Sequence, residues 1–324
     1  MCMNNYDVII IGGGASGFAA AQSLRARGRK FLIIDMGEKT LRKVLISGGG
    51  RCNFTNLDAN SKRYFGNNPE FVHSALARIS PNDILYYVQN HKIKTFQKHT
   101  GQFFVDGSST EIVNAIQSNI KSIKINTTVK NIEKNGNLFK IYTDHGDFFS
   151  NSVIIASGGI SYPQIGVSDI GYKVAKHFGH KIVMPRPALC GIKTNTIPHD
   201  LAGISMPVKI KIDLETLYDD LLFTHFGVGG PAIYRATVRN VEHGLEISLL
   251  PDIDIAQWIK DNKYQSGQKN IIKLLSEKIP FRVAQWIVQN NKRIADMTTN
   301  DINDIANRLV VKLKDFKLHI YNSV

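Results

Sequence analysis

The sequence predicts an α/β protein with a parallel, Rossmann-like sheet and a second part that is β-rich and then helical. Three observations carry this prediction: a strand–turn–helix–strand opening, a glycine cluster in its first turn, and a change of pattern near Pro185 and Pro187. A length of 324 residues suggests about two domains. We therefore expect a first domain over residues 1–185 and a second over 186–324.

The first forty residues predict a βαβ unit. Tyr6–Ile11 is rich in β-branched residues, which is typical of a buried strand, and a helix of small residues follows and ends at Gly28. Lys30–Asp35 is the second predicted strand. A right-handed crossover makes two such strands parallel.

The rest of the first domain predicts a glycine-rich loop, three helices, two hairpin strands, a further buried strand and a closing helix. In chain order these segments are 42–56, 70–79, 81–90, 109–119, 123–134, 138–143, 152–159 and 170–179.

The second part begins with short predicted strands, Val208–Asp213 and Leu245–Leu250, on either side of the stretch FTHFGVGGPA. From Asp254 to Asp315 the pattern predicts helices, and Phe316–Ile320 predicts one last strand. We interpret this part as an insertion of strands and helices.

The composition indicates an ordinary globular protein with an excess of positive charge. A hydrophobic share of 43% and a charged share of 21% exclude a collagen, a disordered tail and a disulfide mini-protein. The net charge of +13 can attract RNA, DNA or anionic small molecules. We discount this signal, because the chain is also rich in Ile, Asn and Lys and its longest basic stretches, 39–43 and 312–317, are short and broken. A bias spreads charge everywhere, whereas a binding surface clusters it.

Cysteine usage and the N-terminus favour a cytoplasmic protein. Cys2, Cys52 and Cys190 form no CxxC pair, and the opening residues lack the positive region of a signal peptide. The uncharged stretch 8–24 is broken by glycines, so we expect no membrane span. His177 and His180 have no third ligand near by in sequence, so we expect no metal.

The stretch GGGASG fits the dinucleotide-binding pattern GxGxxG, because it follows a strand and opens a helix. Gly12 permits the tight turn, Gly14 lets the backbone approach a pyrophosphate, and Gly17 lets helix and strand pack closely. Asp35 ends the second strand, close to the position where the dinucleotide-binding pattern has an acidic residue that accepts a hydrogen bond from a ribose hydroxyl. An acid there favours FAD or NAD over NADP. The alternative is a glycine-rich turn used only for packing.

Two more glycine clusters follow. SGGGRCN, Ser47–Asn53, gives a loop with many free N–H groups that can wrap a phosphate or a polar ring edge, with positive charge from Arg51, Arg42 and Lys43. The alternative is a surface turn. Ile154–Gly159 ends another strand in glycines, where ligands of open α/β sheets bind.

His225 is the first candidate for proton transfer, because neutral histidine can act as acid or base and glycines surround it in THFGVGGP. A structural role is the alternative. Cys52 could be a redox thiol near a flavin, but we favour the interpretation that it is a small side chain in a tight loop.

Four stretches resemble the BaiN-type flavoproteins, also called the aminoacetone-oxidase-like FAD-binding family: DVIIIGGGASG, RKVLISGGGRCNFTN, IIASGGISYPQIG and LLFTHFGVGGPA. The resemblance runs from Tyr6 to Ile320. It implies a two-dinucleotide-binding FAD domain interrupted by a substrate domain with β-barrel and helical parts. FAD is the implied cofactor, with NAD(P)H open as the electron donor.

The resemblance also implies which residues hold FAD: three glycine-rich segments, one acidic residue and one strand position. They are Gly12, Gly13, Gly14, Ala15, Ser16, Gly17, Asp35, Arg42, Lys43, Ser47, Gly48, Gly49, Gly50, Arg51, Cys52, Asn53, Val129, Ala156, Ser157 and Gly158. Arg51 and His225 are the catalytic candidates.

The chain departs from the family pattern in two places. Gly229 stands where the family has serine. The family continues with a further segment that returns to the FAD domain, and we expect this chain to stop within the first strand of that return, after the stretch LKDFKLHI. We therefore expect a shortened member, with a second polypeptide as a candidate source of the rest.

Several functions stay open. An FAD-dependent oxidoreductase could oxidise a small amine, reduce a conjugated C=C bond, or reduce a uridine of ribosomal RNA, and the net charge of +13 favours RNA. The alternatives are an inactive fragment that persists as a binding protein, and an NAD-dependent dehydrogenase.

Overall fold

A computed structural model describes residues 5–66, 68–98, 101–161, 165–166, 168–212, 214–239, 241, 244–266, 268–314 and 317–319. The chain divides into a first compact unit that runs to Met184 and a second unit, Pro185–Asn322.

The first unit combines strands with helices that alternate along the chain. Its strands are β1 (Asn5–Ile11), β2 (Phe31–Ile34), β3 (Asn53–Asn56), β4 (Thr95–Gln97), β5 (Gln102–Val105), β6 (Ile123–Lys124), β7 (Val129–Asn135), β8 (Leu138–Thr143) and β9 (Gly146–Ile155). Its α-helices are α1 (Ala15–Ala26), α2 (Arg42–Gly50), α3 (His73–Arg78), α4 (Pro81–Asn90), α5 (Ser109–Gln117) and α6 (Ile170–His177), and short 3-10 helices cover Ser61–Arg63 and Pro69–Val72.

The main sheet has the strand order β6-β2-β1-β9-β8-β7. The strands β6, β2, β1 and β9 are parallel, and β9, β8 and β7 form an antiparallel meander. Ile11 at the end of β1 pairs with Ile34 of β2 and with Ile155 of β9. Three parallel strands therefore end level with one another.

The core lies on both faces of this sheet. Ile10 and Ile33 pack with Phe18 of α1 on one face, and Ile9 packs with Ile141 of β8 on the other. Because β1 and β2 are covered on both faces, their buried parts, residues 8–11 and 31–34, are continuous apolar runs rather than alternating ones.

The glycine-rich segment 42–56 is not the loop that the sequence predicts. Arg42–Gly50 is assigned to α2, but its backbone leaves helical geometry at Ser47 and Gly48, and Asn53–Asn56 forms β3. The first five residues of the segment, RKVLI, contain no glycine and hold the helix; the three consecutive glycines end it. Strand β3 then joins a small sheet of order β3-β5-β4.

Strand β9 is longer than the predicted segment 152–159, because it starts at Gly146. Residues 146–150 pair with β8, and residues from Phe149 to Ile155 pair with β1. Within the described residues, no strand pairs with 151–155 on the side away from β1. Ile155 and Phe178 are about two-fifths exposed and line an open cleft of about 660 Å³ at this free edge.

The second unit is an antiparallel sheet with helices packed on it. Its strands are β10 (Gly191–Lys193), β11 (Ser205–Ile212), β12 (Glu215–Thr224), β13 (Gly227–Gly229), β14 (Leu245–Ser248), β15 (Val310–Leu313) and β16 (Lys317–His319), in the order β15-β14-β11-β12-β13-β10-β16. Its α-helices are α7 (Gly230–Thr237), α8 (Ile255–Ser266), α9 (Ile271–Leu275), α10 (Phe281–Ile287) and α11 (Thr299–Arg308), and short 3-10 helices cover His199–Leu201 and Ile294–Asp296.

Two predictions for the second unit are wrong. The helical pattern over 254–315 ends earlier, because Val310–Leu313 pairs with β14 as a strand. The last predicted strand does not begin a return to the first domain: Leu318 pairs with Ile192 of β10 in the second unit's own sheet. Phe316 and Ile320, the ends of that predicted strand, lie outside the described residues.

None of the described helices has the length and the apolar run that a bilayer crossing requires.

Candidate dinucleotide site

The carboxyl ends of β1, β2 and β9 meet at one edge of the sheet in the first unit. The N–H of Gly12 donates to the carbonyl of Ile34 at 2.8 Å, and the N–H of Ala156 donates to the carbonyl of Ile11 at 2.8 Å. Ligands of open α/β sheets bind at such an edge. The glycine turn after β1, the acid after β2 and the glycine turn after β9 are thereby brought together.

The three motif glycines differ in what surrounds them. Gly12 has a φ of +112°, and a Cβ there would lie 2.4 Å from the carbonyl oxygen of Ala156. A Cβ on Gly17 would lie 2.0 Å from the carbonyl oxygen of Gly12, so this glycine lets α1 approach the strand turn. A Cβ on Gly14 would meet no atom within 4 Å. Packing therefore explains Gly12 and Gly17 but leaves the space above Gly14 open.

The start of α1 faces this open space. Gly14 is its N-cap residue, and no side chain caps the helix. Ala15 and Ser16 in its first turn are exposed. Unpaired N–H groups at a helix start favour a phosphate, because the helix dipole adds positive potential there.

Asp35 is held against the glycine turn. Its carboxylate accepts hydrogen bonds from the N–H of Gly13 at 2.6 Å and from the N–H of Gly37 at 2.7 Å. The guanidinium of Arg42 lies 3.8 Å from the same carboxylate, whose side chain is 13% exposed. Each carboxylate oxygen can accept a further bond. Asp35 is therefore oriented by backbone donors, and its carboxylate can still accept a hydrogen bond from a hydroxyl group.

The first turn of α2 ties these segments together. The N–H of Leu41 donates to the carbonyl of Gly13 at 2.8 Å. Arg42 reaches the carbonyl of Gly166 at 3.4 Å, and Lys43 reaches the carbonyl of Gly159 at 3.5 Å. Two cations therefore stand at the sheet edge where the sequence predicts an anion.

Ser157 has a buried hydroxyl oxygen with no hydrogen-bond partner in the described part of the chain. It lines a small cavity of about 60 Å³ together with Gly12, Asp35 and Val129. The loop before Val129 is fixed to β2, since the N–H of Thr127 donates to the carbonyl of Asp35 at 2.9 Å. Of the residues implied by the resemblance, Val129 is the one farthest in sequence from any glycine cluster, and it lies beside Asp35.

These residues fit the ADP half of a dinucleotide. The space above Gly14 suits a pyrophosphate, and the Asp35 carboxylate suits the ribose hydroxyls. The Ser157 hydroxyl, which has no partner among the described residues, can form a hydrogen bond with a polar group of the ligand. Buried polar groups are seldom left without a partner, so Ser157 points to a ligand rather than to packing.

The second glycine cluster lies against the small three-stranded sheet. A Cβ on Gly48 would lie 2.8 Å from the ring of Phe104, whereas Gly49 and Gly50 face open space. The Phe104 ring stacks on Phe96 with centroids 5.4 Å apart, and the guanidinium of Arg51 lies 5.7 Å from the Phe96 ring centre. The turn is thus fixed on one side and open on the other.

Cys52 closes this turn and is 4% exposed. Burial raises the pKa of its thiol, with a smaller opposing effect from a hydrogen bond with Ser47. A thiol held in its protonated form is a poor nucleophile. The packing interpretation of Cys52 therefore fits better than a redox role. Asn53 follows as the first residue of β3 and is exposed.

The helical part of α2 separates the two glycine clusters. Residues 42–46 are helical, and five residues of α-helix rise about 7 Å. The two open glycine turns therefore lie at the two ends of this short helix.

His225 lies in the second unit, in the exposed turn between β12 and β13. Its carbonyl oxygen is close to the Nδ1 atom of His199, and the neighbouring Thr224 has a buried hydroxyl oxygen without a partner among the described residues. A Cβ on Gly229 would lie 3.5 Å from Thr224 and from the hydroxyl of Tyr234, which is ordinary contact. The role of His225 in proton transfer stays a prediction.

Sequence reasoning missed several residues that shape the first-unit site. Thr127 and Gly37 bond to Asp35, and the stacked pair Phe96 and Phe104 supports the second glycine turn. Only the FQ and FF dipeptides of β4 and β5 carried a signal, as short aromatic strands. The described residues hold no group of three or more His, Cys, Asp and Glu side chains arranged for a metal.

Comparison with known families decides the membership. The HI0933-like protein Rossmann domain matches residues 6–238, and the HI0933-like protein barrel and H2TH domain matches residues 186–323. The chain belongs to the HI0933-like family. This is the FAD-binding flavoprotein family that the four sequence stretches resemble, and a Rossmann domain joined to a barrel-and-helix domain is its fold.

Three curated relatives are similar to this member of the HI0933-like family. The ribosomal RNA dihydrouridine synthase of Escherichia coli is 32% identical over 93% of this chain and 78% of its own length. The enzyme of the same name from Haemophilus influenzae is 33% identical over 89% of this chain and 75% of its own length. The 3-dehydro-bile acid delta(4,6)-reductase of Clostridium scindens is 27% identical over 76% of this chain and 65% of its own length. By its family, this HI0933-like chain is an FAD-dependent oxidoreductase.

Proposed function

We propose that the chain uses FAD to reduce the C=C bond of a uridine base in ribosomal RNA, which gives dihydrouridine. The observation that carries the proposal is the open cradle above Gly14 with Asp35 oriented beside it, because this cradle suits FAD. Two relatives above 30% identity are named ribosomal RNA dihydrouridine synthases, which supports RNA as the substrate.

Reduction of a C=C bond adds a hydride to one carbon and a proton to the other. FAD, when bound and reduced, supplies the hydride, and NAD(P)H is the electron donor that we propose. Asp35 and the start of α1 hold the ADP half. The open side of the turn at Gly49 and Gly50, with Arg51, faces the flavin half. His225 is the proton donor that we propose.

A second candidate is reduction of a conjugated C=C bond in a small molecule. The observation that favours it is the similarity to a bile-acid reductase, which by its name acts on a steroid. The chemistry at the carbon atoms is the same, so the two candidates differ in substrate only.

The visible absorption spectrum of the purified chain is the first test, followed by titration with FAD. A flavin spectrum at one FAD per chain supports the proposal. A colourless protein that takes up no FAD supports the inactive fragment instead. Reduced enzyme is then given a ribosomal RNA fragment or a conjugated small ketone, and mass spectrometry measures the gain of two hydrogen atoms in each.

The partner that we propose in addition is an extended segment of another polypeptide, which pairs with the free edge of β9 at residues 151–155. The open backbone groups of this edge and the apolar Ile155 and Phe178 beside it suit an added strand with alternating apolar side chains. Peptides that carry such a pattern should protect these backbone amides from hydrogen exchange, and a scrambled peptide should not.

A further inference from the structure

A helical hairpin of the second unit gathers positive charge. The hairpin, residues 268–293, consists of α9, the turn 276–280, α10 and the loop that returns to Arg293. The N–H of Ile271 donates to the carbonyl of Lys292, and the N–H of Ile294 donates to the carbonyl of Lys269, both at 3.0 Å. These bonds bring the two ends of the hairpin together, so its cations share one region.

The hairpin contains six Lys or Arg residues and one acid, Glu277, which is a net charge of +5 in 26 residues against +13 in all 324. The two helices on either side in sequence are nearly balanced. Helix α8 has two lysines and one aspartate, and α11 has one arginine and two aspartates. A compositional bias would raise all of these helices alike. The charge is therefore clustered on the hairpin.

Ion pairs neutralise half of the six cations. Lys269 pairs with Glu277 at 2.7 Å, and acids that follow the hairpin pair with Lys292 and Arg293 at 2.8 Å. Lys273, Lys278 and Arg282 are exposed and have no acidic partner in the described part of the chain.

The three free cations lie around the turn between the helices. The pKa of Glu277 lies below its usual value because Lys269 donates a hydrogen bond to it, with further lowering by the positive charges of Lys278 and Lys273. In sequence, Lys278 follows Glu277 directly and Lys273 precedes it by four residues. Arg282 follows in the first turn of α10.

An exposed aromatic residue, Phe281, lies between Lys278 and Arg282 in sequence. Phe281 is 56% exposed at the first position of α10, whereas Val283 and Ala284 next to it are fully buried. The solvent side continues with the exposed amides of Gln285 and Gln289. Leu274, Leu275 and Ile287 form the opposite side and belong to the core of the unit.

We propose that this basic hairpin, with Lys273, Lys278, Arg282 and Phe281, binds single-stranded RNA. The three cations contact consecutive phosphates, Phe281 stacks on an unpaired base, and the amides bond to base edges or 2′-hydroxyls. An acidic protein would match the charge but would leave Phe281 and the amides unused, and RNA uses all three features. The inference rests on the proposed function for the identity of the partner, because it adds a surface to hold the RNA that the flavin reduces.

The test uses the full chain and a fluorescein-labelled, single-stranded, uridine-rich RNA, with fluorescence anisotropy measured over a range of KCl concentrations. The charge variant combines Lys273→Gln, Lys278→Gln and Arg282→Gln. Three lost phosphate contacts should lower the slope of log K against log salt by about 2 and weaken binding by tenfold or more at about 0.1 M salt. All three side chains are exposed, so the fold should persist, which circular dichroism checks.

A matched control removes three cations elsewhere. Arg25→Gln, Arg27→Gln and Arg29→Gln change the net charge equally at the exposed end of α1, opposite the glycine turn. This control should keep the affinity within about twofold of wild type. Equal weakening by both variants would mean that only net charge matters, and the proposal would be overturned.

A separate variant, Phe281→Ala, tests the stacking. It should weaken RNA binding about tenfold and leave the salt slope unchanged, because no phosphate contact is lost. Wild-type affinity in this variant, or in the charge variant, would overturn the assigned surface. Binding to vesicles with phosphatidylserine or to an acidic protein, with none to RNA, would also overturn it.

Failure of the proposed function is distinguishable from failure of the hairpin. Flavin content and reduction of a conjugated small ketone are measured on the same variants. A charge variant that loses RNA affinity in a protein without FAD supports the hairpin and counts against the proposed chemistry. The reverse outcome is a flavin-loaded enzyme that reduces RNA and a charge variant that binds RNA as tightly as wild type. This outcome supports the proposed chemistry and counts against the hairpin.

Discussion

The carboxylate of Asp35 accepts a hydrogen bond of 2.6 Å from the backbone N–H of Gly13, 22 residues earlier in the chain. The acid and the glycine turn are therefore one preformed unit rather than two parts that a ligand must assemble. Preorganisation of this kind lowers the entropy that binding costs.

Asp35→Asn should weaken FAD binding by about 10- to 100-fold. The amide keeps the size of the side chain but loses the charge that strengthens bonds to N–H groups and to ribose hydroxyls, each worth about 1.5–3 kcal/mol. Titration of flavin fluorescence measures the affinity. Asp106→Asn, an exposed acid of the same unit, is the matched control, and equal weakening there would contradict the role of Asp35.

Alanine at two glycines of one motif should affect two different properties, the stability of the fold at Gly17 and the affinity for FAD at Gly14. Gly17→Ala places a Cβ 2.0 Å from a carbonyl oxygen, so it should lower the free energy of unfolding by about 2 kcal/mol or more. Gly14→Ala meets no protein atom and has an ordinary φ of −88°, so thermal stability should stay near wild type. If FAD occupies the space above Gly14, this variant should still lose about tenfold in FAD affinity. Unchanged affinity would mean that the pyrophosphate lies elsewhere.

His225→Ala should lower the turnover number by about 100-fold or more and leave the flavin spectrum unchanged, because a proton donor acts on the chemistry and not on cofactor binding. Stopped-flow reduction of substrate by the pre-reduced enzyme measures the step. His91→Ala, an exposed histidine of the first unit, serves as control. Turnover equal to wild type would remove His225 from the mechanism.

The stability that Asp301 contributes should depend on pH. A hydrogen bond from Lys292, and then the backbone N–H of Thr298, lower its pKa from 3.8 to about 2. A folded-state pKa below the unfolded one gives stability that is fully present above about pH 4 and is lost as the pH falls toward 2. Asp301→Asn should therefore unfold at lower urea than wild type at pH 6, and the difference should shrink at pH 3. A constant difference would contradict the charge-based origin.

Local pattern predicts the βαβ unit that carries the candidate cofactor site. The apolar run of β1, the spacing of Gly12, Gly14 and Gly17, and the position of Asp35 are all written within 30 residues, so the βαβ unit follows from short-range rules. The level ending of β9 with β1 is nonlocal, yet a glycine-terminated strand indicated it.

What escapes local pattern is set by distant partners. The helix over residues 42–46 was missed because three glycines follow it closely. Glycine has a low helix propensity, so the segment as a whole resembles a loop. The partner of the strand at Leu318 lies 126 residues earlier, at Ile192, and no spacing rule selects it over a strand of the other domain. The pairing of the first half of β9 with β8 likewise needs the meander to exist first.

The half-paired strand β9 also bears on how this protein behaves when concentrated. Exposed strand edges beside apolar side chains join edge to edge, and here no charged residue from Ser152 to Ile155 prevents that. Light scattering should therefore show particles that grow with protein concentration. Ile155→Lys should reduce this growth because the charge repels a second edge. A peptide or partner that pairs with this edge would keep the chain from self-associating through it.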